Sequence, residues 1–94
     1  MKLAKAYKPI FDELDTDHWI CTRCIVERVY KPGEHRPTVQ TRVYATLKRL
    51  IGEKLVVYSD KYRCRSPLCK SKMLCMVHRL SDEGLRLKRS EENR

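Results

Sequence analysis

No stretch of this chain approaches the ~20 consecutive apolar residues that a membrane-crossing helix needs. Its first residues, MKLAKAYKPIF, lack the apolar core and small-residue cleavage site of a secretory signal, so the chain reads as intracellular. Glycine is scarce, at three residues, and none of them builds a phosphate-binding loop. There is no H-E-x-x-H and no other catalytic constellation, so the chain reads as non-enzymatic. Aromatic residues are few, one Trp, one Phe and five Tyr, and most are needed for packing. That argues against an RNA binder with stacking rings on an open sheet. Internal repeats and low-complexity segments are also missing.

What is present is positive charge. The 94 residues carry 21 Lys and Arg against 12 Asp and Glu, a net charge of +9. With 41% hydrophobic and 35% charged residues the composition is that of a folded domain. The length suits a single domain over residues 1–94, with the tail after about residue 88 frayed. A pI near 9.6 makes nucleic acid or an anionic membrane surface a candidate partner. The charges are segregated. Residues 36–50 hold Arg36, Arg42, Lys48 and Arg49 and no acid. Residues 61–80 hold Lys61, Arg63, Arg65, Lys70, Lys72 and Arg79, again without an acid. The acids gather at residues 12–17 and after Ser81, which implies one basic face.

Hydrophobic spacing orders the elements. Leu3, Ala6, Tyr7, Ile10 and Leu14 predict a helix over residues 2–14, with Pro9 either kinking it or starting a shorter helix near Lys8. A second helix is expected over residues 20–29, after an extended stretch near His18 and with Ile20, Cys24, Ile25 and Val29 inward. YKPGEHRP, residues 30–37, is a loop. The clearest helix spans residues 38–51, where Val39, Val43, Leu47 and Leu50 form a buried stripe and Gly52 marks the stop. LVVY at residues 55–58 and CMVHRL at residues 75–80 read as strands flanking a basic loop. Ser81, followed by Asp82 and Glu83, caps a last helix.

This order resembles the winged helix-turn-helix family. TVQTRVYATLKRLIGEKLVVYS is similar to the recognition helix and first wing strand of MarR-like and PadR-like regulators. The matching residues are Val43-Tyr44, Leu47, Leu50, Gly52 and Leu55-Val56-Val57. HRLSDEGLRL resembles the end of the wing followed by that family's helix start. The resemblance spans roughly residues 19–87, and it departs from the family in a long, proline-rich loop before the third helix and in three wing cysteines. It implies an α+β winged helix-turn-helix domain of three helices, a two- or three-stranded wing hairpin and a short C-terminal helix. It implies a transcriptional regulator, cytoplasmic or nucleoid-associated, binding double-stranded DNA sequence-specifically as a homodimer through its first and last helices. A protein-protein adaptor on the same scaffold, with a cysteine-rich wing, is the alternative, since fold does not dictate function.

In helix-turn-helix proteins the second helix of the motif enters the major groove. By the resemblance, Thr38, Gln40, Thr41, Arg42, Tyr44 and Ala45 face base edges while Lys48 and Arg49 meet phosphates. The wing cations Lys61, Arg63, Arg65, Lys70 and Lys72 would follow the backbone or enter the minor groove. Trp19 is expected in the core, Tyr58 and Tyr62 in strand packing, and His35 in solvent.

Five cysteines remain. Cys21-x2-Cys24 has metal-ligand or redox spacing, and no thioredoxin-like pattern surrounds it. Cys64-x4-Cys69-x5-Cys75-x2-His78 has the makings of a zinc site of three cysteines and a histidine. Disulfides, notably Cys64 with Cys75 across the hairpin, and free buried thiols are the other readings. In the winged-helix resemblance the stretch before the second helix pairs with the last wing strand, which would bring Cys21 toward Cys75 and allow a mixed zinc site or a second disulfide.

Overall fold

The computed structural model describes residues 5–65, 69 and 76–92, with only the backbone of Ala6 and Glu92. Leu3, Lys70, Lys72 and Cys75, singled out above, lie outside the described residues. Among the described residues the chain is α+β, with four α-helices and a three-stranded antiparallel sheet.

Pro9 decides how the chain begins. A 3-10 turn, Lys5–Tyr7, gives way to α1, Lys8–Phe11. Pro9 then falls in the first turn of α1, where its missing N–H is no loss, so the longer helix expected over residues 2–14 does not form. Ile10, Phe11 and Leu14 are nevertheless fully buried.

The helix expected over residues 20–29 is shorter too. Ile20 and Cys21 form a strand, β1, and α2 runs over Thr22–Val29. After a turn that Gly33 closes with a φ of +92° comes α3, Arg36–Gly52. It starts two residues before Thr38 because Pro37 suits the first turn and His35 takes the cap position, its Nδ1 2.8 Å from Thr38 Oγ1. Gly52, the expected stop, is still helical. The left-handed residue is Lys54, with a φ of +64°. It closes the helix with Lys54 N–H donating to the Ile51 carbonyl and Leu55 N–H to that of Leu50, both at 3.0 Å. The predicted stripe holds: Val39, Val43, Leu47 and Leu50 are at most 2% exposed.

β2 is Val56–Ser59, β3 is Val77–Leu80 and α4 is Asp82–Glu92. Ser81 caps α4 as expected, its Oγ accepting from Gly84 N–H at 3.1 Å and donating to the Lys54 carbonyl at 2.7 Å. The helix continues through Glu92, past the point where the tail is expected to fray.

The sheet order is β1-β3-β2, so the last strand lies in the middle. Cys21 pairs with Val77, and Ile20 with His78. Val56 pairs with Leu80, Val57 with Arg79 and Tyr58 with His78. Alternation along the strands sorts these pairs onto two faces. Ile20, Val56, Tyr58, His78 and Leu80 face α3. Cys21, Val57, Val77 and Arg79 face the other way. Val77 is completely buried all the same, so the outer face of the sheet also has a cover.

Candidate metal centre and nucleic-acid interface

Part of that cover is a cluster of four thiols. Cys21 is the cap residue of α2 and Cys24 sits in its first turn, both buried. Cys64 and Cys69 come from the segment that follows β2 and are half-buried. All four sulfurs lie within 4.8 Å of one another. Cys24 and Cys64 sulfurs are 3.7 Å apart and those of Cys21 and Cys69 are 4.0 Å apart. Four thiolates placed tetrahedrally at 2.3 Å from an ion would stand about 3.8 Å from each other. The spacing therefore fits a metal ion, whereas a disulfide needs sulfurs about 2.05 Å apart. Among the described residues no disulfide forms.

The surroundings fit a thiolate set. Cys21 N–H donates to Cys64 Sγ at 3.3 Å, and the N-terminal end of α2 favours negative charge on Cys24. Without an ion the balance goes the other way. Burial pushes the Cys24 thiol well above its ordinary range, and hydrogen bonding among Cys21, Cys64 and Cys69 pushes it further. A cation would reverse this by replacing the protons.

This corrects the ligand set drawn from sequence spacing. Cys64 and Cys69 join Cys21 and Cys24 rather than His78. His78 pairs with Ile20 and so lies on the α3 face of the sheet, opposite Cys21. It is 4% exposed, its Nδ1 lacks a hydrogen-bond partner among the described residues, and burial lowers its pKa against the opposing pull of an Ile20 backbone hydrogen bond. Cys75 lies outside the described residues.

The second feature is the outward face of α3. Thr38, Gln40, Thr41, Arg42, Tyr44, Ala45, Lys48 and Arg49 are all exposed, opposite the buried stripe. Thr41 Oγ1 donates to the Pro37 carbonyl at 3.0 Å. Arg42 reaches Glu34 at 3.8 Å and Arg49 reaches Glu53 at 3.0 Å. These exposed ion pairs are weak and exchangeable for phosphate. Sequence reasoning counted Arg36 in the basic stretch without naming it a contact, and passed over Arg23. Both are exposed and line a polar recess of about 430 Å³ with Gln40 and Tyr44. Their exposed positions on α2 and at the start of α3 were the available signal.

Beside this face runs a mainly apolar groove of about 540 Å³ between α3 and the sheet. Tyr44, Leu47 and Ile51 line one wall, and Tyr58, Met76 and His78 the other. Tyr58 is 55% exposed, not packed within the sheet as expected. Lys61 and Arg63 are exposed. Arg65 sits in a mixed-charge recess with Asp12, Asp15, His18 and Lys88.

On the outer face of the sheet Trp19 is partly buried, and Tyr62 stacks on it. Among the described residues no helix is long and apolar enough to cross a membrane. No protein-family model, curated protein or solved structure matches the chain.

Proposed function

We propose that this chain is a winged-helix protein that binds double-stranded DNA sequence-specifically, as a transcriptional regulator, with α3 in the major groove. The carrying observation is α3 itself. Its 17 residues contain no acidic side chain, one side forms the deepest part of the core, and the other exposes every residue selected from the sequence. At 1.5 Å per residue the helix is about 25 Å long, enough to lie along a groove and touch the flanking phosphates. Gln40 and Arg42 have the donor and acceptor geometry for adenine and guanine, and the Thr and Ala methyls suit thymine. Lys48, Arg49, Arg23 and Arg36 supply backbone contacts. The β2–β3 connection, with Lys61 and Arg63, is the wing. The cysteine cluster holds a structural zinc ion that fastens the base of the wing to β1 and α2. A homodimer through α1 and α4 would set two copies of α3 about 34 Å apart on the DNA.

The test is fluorescence anisotropy of a labelled duplex, comparing the wild type with a T41E/K48E/R49E variant. The wild type binds at low salt, and the variant, folded by circular dichroism, loses at least tenfold in affinity. Equal affinity in both proteins would remove α3 from the interface.

The groove between α3 and the sheet favours a second reading. Tyr44, Tyr58 and Met76 offer more apolar surface than a purely electrostatic face has, as a protein-protein adaptor would. A wild type that ignores DNA at low salt would transfer the proposal to this groove.

A further inference from the structure

We infer that Tyr62, backed by Trp19 and Arg79, is a stacking platform for an unpaired nucleobase, so that the preferred DNA carries a single-stranded extension beside the duplex held by α3. The inference rests on the DNA-binding reading of α3 and adds a second, separate contact to it.

The geometry is a stacked pair of rings with a guanidinium against one of them. The Trp19 and Tyr62 rings lie 4.9 Å apart between centroids and only 6° from parallel. The Arg79 guanidinium lies 4.9 Å over the Trp19 ring. Arg79 also donates to the Thr16 carbonyl at 3.3 Å. Tyr62 is 53% exposed, and since one face rests on Trp19, that exposure belongs to its other face and its edges.

A ring recruited only to pack would turn its area out of water. Tyr62 instead offers a flat aromatic surface continuing an existing stack, the form that binds a base by its π-face whatever its identity. The platform is held in place before any ligand arrives. Arg65 N–H donates to the Trp19 carbonyl at 2.7 Å, Lys61 N–H donates to Ser59 Oγ at 3.0 Å, and Cys64 belongs to the thiol cluster. Lys61 and Arg63, both exposed, adjoin Tyr62 in the sequence and would meet the phosphates on either side of a stacked base. Asp60 is the one acid of this segment.

Position identifies the ligand. Arg79 lies on the sheet face opposite Tyr58 and His78, so the platform points away from the groove beside α3. A continuous duplex has its base faces closed by their neighbours and cannot use such a surface. An unpaired base on a strand leaving the duplex can.

The experiment compares a blunt labelled duplex with the same duplex carrying a short single-stranded thymine extension, by anisotropy, for the wild type, Y62A and Y62F. Base–aromatic stacking is worth roughly 1–3 kcal/mol per base, so the extension tightens wild-type binding about 5- to 150-fold. Y62F keeps that gain, Y62A loses it, and both bind the blunt duplex like the wild type. Equal wild-type affinity for the two DNAs, or a gain retained in Y62A, overturns the platform and leaves the α3 reading standing. Failure to bind either DNA overturns both. Should Y62A not fold, 2-aminopurine in the extension reports directly on the wild type: quenching on binding supports stacking, and unchanged emission refutes it.

Discussion

At the scale of single residues, Gly84 shows how a helix propensity can mislead. It lies in the first turn of α4, where alanine would ordinarily stabilise by about 1 kcal/mol. A Cβ there would, however, press into the backbone carbonyl of Leu55 and sit 3.2 Å from Leu80 Cδ2. The Leu55 carbonyl cannot retreat easily, because it accepts the Ser81 N–H at 3.0 Å. Shifting α4 instead would strain the Ser81 bonds to Lys54 and Gly84. Overpacking costs roughly 1–3 kcal/mol and outweighs the propensity gain. G84A should therefore lower the urea midpoint with an unchanged slope, and a midpoint at or above that of the wild type would contradict the close approach. The same contact gives a physical reason for glycine in the Ser81-Asp82-Glu83-Gly84 run, which the sequence offered only as a resemblance.

At the scale of elements, the thiol cluster ties together pieces that are otherwise slight. β1 has two residues, and the segment from Lys61 to Arg65 has no regular structure. Each reaches the cluster through its own cysteine, Cys21 and Cys64. If the cluster holds zinc as proposed, removing the metal should therefore loosen this corner before it unfolds the α3 core. Cobalt in place of zinc should give the visible spectrum of a tetrahedral thiolate site, with one ion per chain. A strong chelator should abolish that spectrum, lower Tm and open the chain to protease between β2 and β3. C24S should behave like the chelated protein and bind no cobalt. A chelated protein with unchanged Tm and protease pattern would show the cluster to be mere thiol packing. Metal loading should also release protons, because burial holds Cys24 protonated in the metal-free chain. Much of this architecture was legible beforehand. The α3 stripe, the Ser81 cap and the α3–strand–strand–α4 order all follow from local spacing. The ligand set was legible only in part, because linear spacing groups Cys64 and Cys69 with their downstream neighbour His78, and only the winged-helix resemblance allowed Cys21 into a mixed site. It took the β1–β3 register to put Cys21 and His78 on opposite faces of one sheet. Trp19, expected in the core, is partly buried against it, whereas Tyr62, expected in strand packing, lies past the end of β2 and stacks on Trp19; that partnership depends on which sheet face the segment after β2 folds over.

At the scale of the whole molecule, the net charge of +9 and its distribution make the proposed DNA binding quantitative. Of the cations on α3, Arg42 and Arg49 face acids within the chain and Arg36 pairs with Glu27. On the proposed reading DNA would have to compete with those pairs, while Lys48, Lys61, Arg63 and Arg23 pair with no acid among the described residues. If binding neutralises about six phosphates, the logarithm of the affinity should fall with the logarithm of salt concentration at a slope near −5. Each exposed cation removed from the interface should flatten that slope by about 0.9. K48A should do so for every DNA sequence alike. Q40A should leave the slope unchanged and lower the affinity only where a specific base is read. A titration of wild type, K48A and Q40A across salt concentrations separates the two kinds of contact. A slope near zero would mean that the basic face does not meet phosphate, and would leave the apolar groove between α3 and the sheet as the binding surface.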